Sequence, residues 1–76
     1  MQFSNQVIGS VIKELRISKG MTQELLSGFA GIARSHLSMI ESGTKQPNFE
    51  TIWKIAVALD MKPSALVHEF EKRITE

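Results

Sequence analysis

Cysteine is absent from this 76-residue chain, which removes disulfides and thiolate zinc sites together and suits a reducing compartment. No apolar run approaches the roughly 18 residues that a membrane-crossing helix needs, and the first residues lack the basic and apolar blocks of a secretory signal. The expectation is a cytoplasmic protein with no membrane partner. Charge of one sign is scarce as well. Nine Lys and Arg against eight Asp and Glu leave a net charge of +1, too little to indicate a polyanionic partner by itself. Strand-like alternation, repeats, linkers and low-complexity stretches are also missing. The length excludes a cleft between substrate lobes, since a domain of this size buries only about 60% of its unfolded surface. So small a core commonly leans on a disulfide, a metal or a partner subunit, and here oligomerisation is the option left. His36 and His68 lie in separate segments with no acid or cysteine at ligand spacing, so neither a metal nor another cofactor is expected. Ser35 and His36 are helix neighbours, pointing about 100° apart, and no carboxylate is placed to orient the imidazole. Enzyme activity is therefore not expected.

What the chain does contain is helical periodicity. From Ser4 to Lys19 the residues Val7, Ile8, Val11, Ile12 and Leu15 form one apolar stripe, with Ser10, Lys13 and Glu14 facing elsewhere, and Gly20 stops the helix. Thr22 is a good N-cap for a second helix, in which Leu25, Leu26, Phe29 and Ala30 recur at helical spacing before Gly31 turns the chain. A third helix runs from about Ala33 to Ser42, with Leu37 and Ile40 inward and Gly43 as its stop. Asn48 caps a fourth from Phe49 to Leu59, and Pro63 opens a fifth that runs to about Arg73. The expected class is all-α, a single domain over residues 1–76.

The second and third helices, joined by a glycine-containing turn, read as a helix-turn-helix over about 22–42. With Leu37 and Ile40 inward, Ser35, Ser38, Met39 and Ser42 fall on the outer face, flanked by Arg34 and His36. Small hydroxyls, one thioether, an Arg and a His make a face that can approach another surface closely. The DNA major groove admits such a helix; Arg can donate two hydrogen bonds to a guanine edge, Ser can bond several bases, and Met39 can touch a thymine methyl.

This stretch resembles the Cro and phage-repressor helix-turn-helix family, also called the xenobiotic-response-element (XRE) family of bacterial regulators. The matching residues are Thr22-Gln23-Glu24, Leu26, Ala30-Gly31, Arg34-Ser35, Ser38, Ile40-Glu41, Gly43 and Pro47, with Ala56 and Leu59 following. The resemblance covers about Ile8 to Leu66. It implies a compact five-helix bundle of the lambda-repressor-like DNA-binding type that regulates transcription as a homodimer on a near-palindromic duplex. Carried over by position, Arg34, Ser35, Ser38 and Met39 become base readers, while Thr22, Gln23, His36, Ser42, Thr44 and Lys45 become phosphate contacts. It also implies a structural ion pair between Arg16 and Glu41. Ser27 stands where the family usually has alanine, Gly28 sits inside a helix, and Ala33 replaces the customary Ser or Thr cap.

The fourth helix is apolar on a second side through Phe49, Trp53 and Val57, and the fifth carries a stripe with no later element to cover it. Trp53, Val57, Leu66, Phe70 and Ile74 are therefore the expected dimer surface. Two other functions fit the same residues. An antitoxin, with a toxin as its protein partner, or a restriction-modification controller has the same DNA-binding domain; a protein-interaction module would present the neutral face of the third helix to a protein instead of a groove.

Overall fold

The computed structural model describes residues 1–75. Five helices follow in order: α1 (Asn5–Ser18), α2 (Gln23–Ala30), α3 (Arg34–Glu41), α4 (Phe49–Ala58) and α5 (Pro63–Thr75), with no strand among the described residues. The all-α reading is borne out, with α5 two residues longer than expected. Three helices start on the side-chain caps that their sequences provide. Ser4 Oγ accepts from the Val7 amide at 3.2 Å, Thr22 Oγ1 from Leu25 at 3.0 Å and Asn48 Oδ1 from Thr51 at 2.8 Å. Such a cap is worth about 1 kcal/mol. Helix α3 begins at Ala33 without one.

The end of α2 shows how local chemistry shapes the motif. Gly31 takes a left-handed conformation at φ 71°, and the amides of Gly31 and Ile32 donate back to the carbonyls of Gly28 and Ser27. Glycine holds that geometry without a Cβ penalty. Three residues then suffice to start α3. Ser27, the departure from alanine, is buried, and its hydroxyl donates to the Glu24 carbonyl at 3.1 Å, so it leaves no unmet polar group.

Helix α1 packs on α3 and α5, α2 on α3 and α4, and α4 on α5. Ile12, Leu26, Leu37, Ile40, Ile55, Leu59 and Leu66 are sealed at the centre. The apolar residues of α2 divide: Leu26 and Ala30 enter the core, while Leu25 and Phe29 remain exposed. Close approach between α1 and α3 depends on Gly9, where an added Cβ would stand 2.6 Å from the Glu41 carbonyl oxygen.

The expected dimer surface is corrected at two positions. Leu66 is fully buried and Phe70 is 6% exposed, both within the core of one chain. The stripe of α5 is covered by α1, which returns from the start of the chain, and by α4. Trp53 and Val57 do stay exposed, Ile74 is half-buried, and Phe49 meets Trp53 edge to face at 6.1 Å. Phe49, Trp53 and Val57 thus form an exposed apolar patch on α4, with Phe3 and Val67 exposed on other segments and Leu25 and Phe29 exposed on α2.

Candidate nucleic-acid interface

Helix α3 buries Leu37, Ile40 and Glu41 and turns Arg34, Ser35, Ser38, Met39 and Ser42 to solvent, as the helical spacing requires. His36 is half-buried at the edge of this face. Without a side-chain cap, the first amides of α3 stay open beside Arg34, a cationic helix end that suits an anionic partner. At the other end, Ser42 Oγ donates to the Met39 carbonyl at 3.1 Å and lies 2.7 Å from Thr44 Oγ1. Thr44 and Lys45 follow on the exposed turn, and Thr22 is exposed at the start of α2.

One buried carboxylate ties this face to the core. Glu41 Oε2 accepts from Arg16 Nε at 2.7 Å, and Oε1 accepts from Arg16 Nη2 at 3.0 Å, a two-pronged pair with side chains only 10% and 3% exposed. Arg16 spends its Nη1 on the Met21 carbonyl at 2.8 Å, which anchors the loop before α2. Glu41 Oε1 also accepts from Gln23 Nε2 at 3.0 Å, and Gln23 Oε1 faces Arg34 Nη1 at 3.5 Å. The chain Arg16–Glu41–Gln23–Arg34 therefore runs from the α1–α3 contact to the start of the exposed helix. Gln23 has a second amide hydrogen beyond the one given to Glu41, and the cleft beside it is lined by Arg16, Thr22, Gln23, Glu24 and Arg34.

All ten residues expected to meet DNA lie on α2, α3 or the loops that flank them, and nine of them belong to one continuous segment or to Gln23, which hydrogen-bonds to it. Lys13 was not among them, although it lines a second notch with Gln23, Ser38, Glu41 and Ser42. Its signal in the sequence is faint: it sits four residues after Gly9 and three before Arg16, both of which meet α3. No three His, Cys, Asp or Glu side chains gather as a metal site among the described residues, and no helix there is long and apolar enough to cross a membrane.

A family profile described as "Helix-turn-helix" matches residues 12–66. The uncharacterized HTH-type transcriptional regulator y4dJ of Sinorhizobium fredii is 34% identical over 62 residues, covering 82% of this chain and 80% of that protein. Among solved structures, the restriction-modification controller protein C.AhdI from Aeromonas hydrophila is 35% identical with a TM-score of 0.79, over 82% of this chain and 94% of that one. The restriction-modification controller C.Esp1396I, solved as a tetramer in complex with its natural 35 base-pair operator, is 26% identical with a TM-score of 0.89 over 100% of both chains. The match of the family profile to most of the chain, with relatives above 30% identity over four-fifths of it, shows that the chain belongs to the Cro-type (XRE) helix-turn-helix family of transcriptional regulators.

Proposed function

We propose that the chain binds a near-palindromic duplex as a homodimer, laying α3 in the major groove of each half-site, and so governs transcription from the promoter it occupies. The observation that carries this reading is the outer face of α3: it is exposed, carries Arg34 as its one fixed charge among small hydroxyls, and is fixed to the core through Glu41. Arg34, Ser35, Ser38 and Met39 are the base readers. Thr22, Gln23, His36, Ser42, Thr44 and Lys45 position the backbone. Half-sites read by a two-fold dimer lie about one turn, roughly 34 Å, apart.

Selection of bound duplexes from a random library tests the function directly: an enriched inverted repeat supports it, and no enrichment at low salt sinks it. On the selected operator, Arg34→Ala should cost about 1–3 kcal/mol and relax preference at one base pair, whereas Gln23→Ala should weaken selected and random duplexes alike. Equal losses on both duplexes for Arg34→Ala would remove it from the readers.

The dimer draws on the exposed Phe49, Trp53 and Val57 of α4, with Ile74 at the margin. Sedimentation at micromolar concentration should return a dimer that Trp53→Glu converts to monomer, since a charge there is desolvated by the partner. A wild-type chain that is monomeric both free and on DNA would exclude this arrangement. A restriction-modification controller is the second reading, supported by the similarity to C.AhdI and C.Esp1396I. It predicts that the selected operator lies upstream of a restriction-modification gene pair.

A further inference from the structure

We propose that Lys13, on α1 and outside the helix-turn-helix, is a contact to a backbone phosphate of the bound duplex; this rests on the DNA-binding reading above. The notch that Lys13 lines is shared with Gln23 of α2 and with Ser38 and Ser42, two residues of the outer face of α3 placed four apart. Lys13 is exposed, and its place on α1 is fixed on both sides. Gly9, one turn before, touches the end of α3, and Arg16, about one turn after, grips Glu41.

An internal role for the ammonium group is poorly served by its neighbours. The acid of the notch is Glu41, and its two oxygens already accept from Arg16 Nε, Arg16 Nη2 and Gln23 Nε2. No ion pair of Lys13 occurs among the described residues. The notch is therefore left with an exposed positive charge beside hydroxyl groups and a carboxylate already paired with a guanidinium.

Charge balance gives the site its consequence. From residue 20 to 48, Arg34 and Lys45 stand against Glu24 and Glu41, and with Glu41 balanced by Arg16 the motif keeps an excess of only one positive charge. Lys13 adds a second on that side. A lysine acts as a flexible point charge, suited to a phosphate oxygen and poorly suited to reading a base edge. A helix seated in the major groove has phosphates along its flanks, and α1 lies against α3 on the side where Ser38 and Ser42 share a notch with Lys13.

The test compares the wild-type chain with Lys13→Gln, Lys13→Arg and, as a control on α4, Lys54→Gln. Each is titrated onto the selected operator and onto a random duplex of the same length, between about 50 and about 200 mM salt. Lys13→Gln is expected to weaken both duplexes by the same factor and to lower the slope of log affinity against log salt by about 0.9 for each protomer bound. The affinity deficit per protomer then grows about three- to four-fold from the higher salt to the lower. Lys13→Arg should keep the wild-type slope, Lys54→Gln should change nothing, and thermal melting of all variants should match the wild type. An unchanged slope for Lys13→Gln overturns the proposal, as does a loss confined to the selected operator, which would make Lys13 a reader of sequence. If the wild-type chain itself binds neither duplex, the DNA-binding reading fails first, and that result is separate from any comparison among variants.

Discussion

Glu41→Ala is expected to lower the stability of the fold by about 3–5 kcal/mol, read as a shift of the urea midpoint or of thermal melting. Alanine leaves the Arg16 guanidinium beneath the α1–α3 contact, with a side chain only 10% exposed and two of its three hydrogen bonds gone. The Gln23 amide loses its acceptor in the same step. Unfolding free energies of small domains are about 5–15 kcal/mol, and each kcal/mol moves melting by about 4–8 °C at this size, so the drop should exceed roughly 12 °C. The cause is an uncompensated buried charge and not the worth of the attraction itself. Arg16→Met combined with Glu41→Leu should therefore recover most of the loss, because the desolvation cost of both ions disappears together. DNA affinity should not recover with stability, since the double variant still lacks the acceptor that holds Gln23 beside Arg34. A single-variant loss below about 1 kcal/mol would mean that water reaches the pair and that it behaves as a surface bridge.

Most of the fold was legible because most helices carry a start or a stop of their own. Ser4, Thr22 and Asn48 mark the starts at which caps form, and Gly31 marks the left-handed turn. Leu37 and Ile40 gave the orientation of α3, and the faces assigned from them agree with the exposure of Ser35, Ser38, Met39 and Ser42. The Arg16–Glu41 pair was available only through family resemblance, since a separation of 25 residues carries no periodic signal. The readings that failed concern which element covers which. Periodicity marks Leu66 and Phe70 as an apolar stripe but does not name its partner; reading along the chain, nothing follows α5, whereas in space α1 lies on it. Lys13 carries little signal in the sequence for the same reason. It lies off the apolar stripe of α1, and only the packing of α1 on α3 brings it to the outer face. Gly9 gives no signal in one dimension, because a tight backbone approach belongs to two helices at once.

Gly9→Ala should destabilise the chain by about 3 kcal/mol, in a direction opposite to helix propensity. Inside a helix, replacing glycine with alanine ordinarily gains about 0.5–1 kcal/mol through reduced freedom of the unfolded chain. Gly28→Ala is the internal standard for that gain, since a Cβ there meets nothing within 4 Å and the backbone is helical. At Gly9 the same methyl would stand 2.6 Å from the Glu41 carbonyl oxygen and 2.9 Å from its carbon, and it would press on the Ile40 carbonyl as well. These are backbone atoms at the end of α3, and the Ile40 carbonyl already accepts from the Gly43 amide at 3.1 Å, so no rotamer change relieves the contact. Helix α1 has to move away. Ile12 and Arg16 share that side of α1 at three and seven residues from Gly9, so the movement loosens a sealed core residue and stretches the Arg16–Glu41 bonds together. Overpacking typically costs about 1–3 kcal/mol, and strain transmitted to the buried pair puts the net effect at the upper end. Denaturant midpoints of the two variants should therefore move in opposite directions from the wild type, Gly28→Ala upward and Gly9→Ala downward. A midpoint for Gly9→Ala at or above that of the wild type would mean that α1 and α3 separate without cost, and the anchoring of α3 through Glu41 would then have to be sought elsewhere.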